Sequence, residues 1–109
     1  SIRYVRDLYM AINYKRNEAK IVREFMEYIN STYDAHYDNG SGRDVVDDWT
    51  DMGIEKEAFL SNIVKYYKRF GKKAGYNPKD VIKIMHYCVF LLNSLGYPEN
   101  SSTEDVDVD

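Results

Sequence analysis

The segment NPKDVIKIMHYCVFLLNSLGYP, residues 77–98, carries the strongest structural signal in the chain. Asn77 can cap a helix with its side-chain oxygen, and Pro78 suits the first helical position, where its missing N–H leaves no bond unmade. Asp80 follows at the third position, read as part of the same start signal and near the positive end of the helix dipole. Val81, Ile84, Met85, Cys88, Val89, Leu91, Leu92 and Leu95 then recur at helical spacing and cover more than one stripe. A helix that is apolar on several sides is one that several neighbours touch. Gly96 and Pro98 stop it, so a central helix over residues 77–95 is predicted. If Leu92 is packed inside, Leu92→Asp should unfold the domain, because an unpaired buried carboxylate costs several kcal/mol.

Four amphipathic neighbours are expected upstream. Ile2, Val5, Leu8, Tyr9 and Ile12 place one apolar stripe on a helix of residues 2–14. Asn17 can cap the next, whose stripe runs Ile21, Val22, Phe25, Tyr28, Ile29, Thr32 and Tyr33 and ends near Tyr37. Asp44 is placed to cap a short helix holding Val45, Val46, Trp49 and Met52, which Gly53 stops, and Trp49 should dock on the bundle. The fourth begins around residues 54–57, with Phe59, Leu60, Ile63, Val64, Tyr67 and Phe70 on one side; Gly75 closes it. No segment alternates long enough for a strand. The predicted fold is therefore all-α, a compact bundle of about five helices in one domain (residues 1–98), followed by a disordered acidic tail (residues 99–109) of almost no apolar content.

Composition excludes several classes. At 109 residues and 44% hydrophobic content, the chain can enclose one core but not two. Its one cysteine, Cys88, has no internal disulfide partner and is expected in the core. No apolar run approaches the ~20 residues of a membrane helix, no charged leader precedes an apolar stretch, and an intracellular setting is expected.

The stretch most suggestive of chemistry, YDNGSGRDVVDDW (residues 37–49), fails the obvious tests. Each calcium-loop register puts the wrong residues at ligand positions: with Gly42 or Gly40 at the sixth place, Tyr37 or Ala35 falls at the first. A phosphate cradle needs a lysine and a hydroxyl beside its glycines, and here Arg43 is followed by Asp44, Asp47 and Asp48. The stretch is a turn leading into an Asp-capped acidic helix. His86 and Cys88, two residues apart on a helix, point away from each other, and His36 lies solvated between Asp34 and Asp38. No nucleophile elbow, dinucleotide turn or zinc spacing occurs. An enzyme is not expected, and neither is a cofactor or a metal.

Charge segregation is more informative than the net charge of −3. Residues 38–57 carry seven acids against two bases, residues 58–98 seven bases against one acid, and the tail five acids alone. The bases concentrate in KYYKRFGKKAGYNPKDVIK, interleaved with aromatic residues. Lys65, Tyr66, Lys68, Arg69, Lys72, Lys73 and Tyr76 are the candidate partner-binding residues: the cations steer, the tyrosines anchor. A protein partner, acidic or helical, is the expected ligand of a regulatory or partner-sequestering module. The alternative is nucleic acid, with the cations on phosphates, a tyrosine stacked on a base and the acidic tail competing for the same patch.

Overall fold

The computed structural model describes residues 11–36, 42–72 and 74–99. The expected first helix of residues 2–14 lies mostly outside the described residues, as do the tip of the acidic loop, Lys73 and all of the tail beyond Glu99. Among the described residues there are four helices and no strands: α1 (Glu18–His36), α2 (Val45–Asp51), α3 (Glu55–Arg69) and α4 (Pro78–Ser94). None of them is long and apolar enough to cross a membrane.

Local chemistry accounts for the helix ends. At the start of α1, Asn17 sits at φ 61, a left-handed conformation that asparagine tolerates, and its carbonyl accepts the Ile21 N–H at 2.9 Å. Glu18 reaches back to the Arg16 N–H at 2.8 Å. α2 starts on a reciprocal cap in which the Asp44 carboxylate accepts the Asp47 N–H at 3.0 Å and the Asp47 carboxylate accepts the Asp44 N–H at 2.9 Å. Its end is the expected one, with Gly53 at φ 74. α4 begins as the sequence predicts: the Asn77 side chain accepts the Lys79 N–H at 2.9 Å and Pro78 opens the helix.

The end of α3 differs from expectation. The helix stops at Arg69, because Phe70 turns extended, and Gly71 (φ 85) reverses the chain. The Gly71 N–H donates to the Gly75 carbonyl at 2.9 Å, closing a tight loop. A Cβ at Gly71 would lie 2.9 Å from the Tyr76 ring, which would have to shift, and the left-handed backbone favours glycine whatever the ring does. Gly75 belongs to this loop and not to the helix.

α3 and α4 pack antiparallel along their length and form the framework of the fold. Phe59, 1% exposed, is the centre: its ring meets Phe90 at 5.5 Å, Tyr87 at 6.3 Å and Trp49 at 6.1 Å. α2 is thus held by the Trp49 contact, as anticipated. α1 docks on another side of α4, where Phe25 is buried and His86 stands nearly perpendicular to the Phe25 and Tyr28 rings at 6.3 and 5.5 Å. α4 thus packs against α3 and α1, while α2 rests on α3 through Trp49.

Not every residue in the apolar stripes is inside. Leu92 is 43% exposed, Cys88 is exposed, and Leu60, Val64 and Tyr67 of α3 are also open to solvent. The expected burial of Cys88 and Leu92 is therefore wrong, and Leu92→Asp loses its rationale as a core-breaking change. α4 spends its covered arc on α1 and α3, and on the side where Cys88, Leu92 and Leu95 lie no described helix covers it.

Candidate partner-binding surface

Six of the seven candidate residues sit at the C-terminal end of α3 and in the tight loop after it, Lys73 lying outside the described residues, and the fold sorts the six into separate settings. Lys65, Lys68 and Arg69 share one flank of α3, being three and four residues apart. Tyr66 turns from that flank toward α4, where its ring stacks on Tyr87 at 6.4 Å and is half-buried. Lys65 Nζ lies 4.6 Å from the Tyr66 ring centre and the Arg69 guanidinium 5.7 Å from it, so one ring gathers two cations.

Arg69 is not a free cation. Its Nε approaches Asp80 Oδ1 at 3.7 Å, with Asp80 only 6% exposed as a residue and the Arg69 side chain half open to water. Asp80 is thus more than part of a start signal: Asn77 performs the capping, and the Asp80 carboxylate is enclosed between the first turn of α4 and the last turn of α3. The pair fastens the ends of the two helices at the loop. Lys65, Lys68 and Lys72 are exposed, and none has an acid within ion-pair distance among the described residues. Arg43 of the acidic segment behaves differently, held by Asp51 at 2.7 Å and Asp48 at 3.4 Å.

Tyr76 is 79% exposed, and its ring meets Phe70 at 5.3 Å. Together with Ile21 and Lys20 of α1 and Val81, Ile82 and Met85 of α4, these two rings line an open cleft of about 660 Å³. A second cleft, of about 370 Å³, runs between α1, α2 and α4 and is lined by Tyr28, Val45, Lys83, His86, Tyr87 and Phe90 among others. Burial and the neighbouring Lys83 ammonium hold His86 below its ordinary value of 6.5. Burial also pushes Tyr87 above the usual phenol value, with Tyr66 and Tyr28 adding to the effect. His86 therefore stays neutral and aromatic at physiological pH. Among the described residues no cluster of His, Cys, Asp or Glu could hold a metal ion.

Sequence reasoning missed three members of this neighbourhood: Asp80, Tyr87 and Lys83. A signal for Asp80 was present. A basic last turn followed after a short loop by an acid in the first turn of the next helix is the arrangement that an antiparallel hairpin brings together. Nothing comparable marks Tyr87, which reads as one more apolar position.

No curated protein and no solved structure matches the chain. Residues 29–89 match DUF3310, described as a protein family of unknown function. The matched segment runs from the C-terminal part of α1 to Val89, taking in the Phe59 cluster, the Arg69–Asp80 pair and the whole basic loop. Because that segment is more than half of the 109 residues, the chain belongs to the DUF3310 family.

Proposed function

We propose that the protein is a non-enzymatic helical recognition module, regulatory or partner-sequestering, that presents the C-terminal end of α3 and the loop after it to an acidic protein partner. The observation that carries the reading is the group Lys65, Lys68 and Lys72, exposed and without an acidic neighbour among the described residues, beside a Tyr66 ring already fixed against Tyr87. Cations that need not leave a partner of their own are available to steer an incoming one. A ring held in place loses little entropy when it is covered.

Nucleic acid is the second candidate for the same cations, and two features weigh against it. Tyr66 gives its face to Tyr87, Lys65 and Arg69, so it is not open for base stacking. The exposed acids of α2, Asp48 and Asp51, would repel a long phosphate backbone that reached them. Tyr67 and Tyr76 keep the alternative testable, since both rings are exposed.

Fluorescence anisotropy with the full chain separates the two, using an acidic helical peptide, a single-stranded oligonucleotide and a duplex as probes over a range of salt. The expected result is salt-sensitive peptide binding that weakens on reversing Lys65 and Lys72 to glutamate. Tighter binding to an oligonucleotide, with affinity falling steeply as salt rises, would favour the nucleic-acid reading. Binding to none of the probes at low salt would sink both.

A further inference from the structure

We infer that the chain forms a two-fold dimer in which α3 packs antiparallel against α3 of a second copy. The observation is a self-complementary line on the outer flank of α3. Glu57, Leu60, Val64 and Lys68 succeed one another at steps of three and four, so they follow one side of the helix. The acid stands at one end, the base at the other, and the two apolar side chains lie between; all four are exposed. Among the described residues neither Glu57 nor Lys68 has an ion-pair partner. Reversed and laid on itself, the line matches at every position: Glu57 meets Lys68 of the second copy, Leu60 meets its Val64, and each contact occurs twice. Self-complementarity under a two-fold axis is the geometric requirement of an isologous interface, and a heterologous partner would have no reason to satisfy it.

A second apolar band lies beside this line. α4 turns Asp80 and Tyr87 toward α3 and His86 toward α1, so Cys88, Leu92 and Leu95 leave it on the side that no described helix covers. The residues of α3 that flank this side are Leu60, Val64 and Tyr67, the last 70% exposed. A two-fold pair that covered both bands would need to bury about 1,200 Å² in total, the lower end of what stable interfaces bury.

This inference goes beyond the recognition reading and does not depend on it. The two surfaces meet at Lys68, which the dimer draws toward Glu57 of the second copy; Lys65 and Lys72 stay free.

Sedimentation velocity on the full chain, across a range of micromolar concentrations, is the first measurement, and a dimer is expected. Val64→Lys and Leu92→Lys should each shift it to monomer while far-UV circular dichroism stays native, since both positions are solvent-exposed in one protomer. The register is tested by charge reversal. Glu57→Lys sets two cations against each other and should weaken association roughly tenfold, and the double variant Glu57→Lys with Lys68→Glu should restore it to within about threefold. A chain that is monomeric at every concentration overturns the inference, as does a dimer indifferent to Val64→Lys. A dimer that Val64→Lys disrupts but that the charge-reversed pair does not rescue overturns the antiparallel register.

Discussion

Phe59→Ala is the change to which this fold should be most sensitive. The Phe59 ring is enclosed on three sides, by Trp49 of α2 at 6.1 Å and by Tyr87 and Phe90 of α4 at 6.3 and 5.5 Å. With 1% of the residue exposed, truncation removes on the order of 150 Å² of buried apolar surface, worth about 4 kcal/mol at ~25 cal/mol per Å². A cavity adds to the loss and the inward movement of the short α2 relieves part of it, so a net loss of about 3–5 kcal/mol is expected. Domains of this size are stable by about 5–15 kcal/mol, so the variant should be marginally folded or unfolded at room temperature. Trp49 is the sole tryptophan and touches the mutated ring, so urea unfolding followed by its fluorescence reports on the site itself, with far-UV circular dichroism as the global probe. Phe59→Leu, which keeps most of the volume, should lose less than half as much. A Phe59→Ala loss below about 1 kcal/mol would refute the assignment of this ring as the centre of the core.

Other outcomes follow from the same geometry. Leu92→Asp should leave the chain folded, with native circular dichroism, because Leu92 is 43% exposed; cooperative unfolding by this substitution would mean that the position is covered. Removing Arg69 alone strands an enclosed Asp80 carboxylate, and removing both residues does not. A double-mutant cycle of Arg69→Ala and Asp80→Ala should therefore show a coupling of about 1–2 kcal/mol, kept small by the half-exposed guanidinium, and simple additivity would contradict the pairing. Because His86 resists protonation in the folded chain while the unfolded chain takes up a proton near 6.5, stability should fall as pH drops through that value and on toward the lower folded one. His86→Gln should flatten this part of the urea-midpoint profile. An unchanged slope between the two proteins would count against the desolvated histidine.

The helices are legible in the sequence because their causes are local. Asp44, Gly53, Asn77 and Pro78 act on backbone groups within a few residues of themselves, and each does in the structure what its chemistry predicts. The basic run was equally plain, since charge is a property of composition. Where α3 stops was not, because Phe70 turns extended and Gly71 closes a tight loop onto the Gly75 carbonyl, a pairing that exists only once the chain has turned back. Leu92, Cys88, Leu60 and Val64 have the same apolar character as Phe59 and Phe90, and no local rule tells a side chain facing a neighbouring helix from one facing water.

Sequence by itself therefore determined the helical class, the caps and the position of the cationic, tyrosine-rich segment, all of which depend on interactions spanning a turn or two of chain. Tertiary structure decided which cation is tied to Asp80, which tyrosine is anchored and which apolar faces stay open, because those depend on how antiparallel helices rotate against one another. A rotation about a helix axis leaves every local interaction unchanged while it exchanges buried for exposed, so only the packed arrangement could assign them.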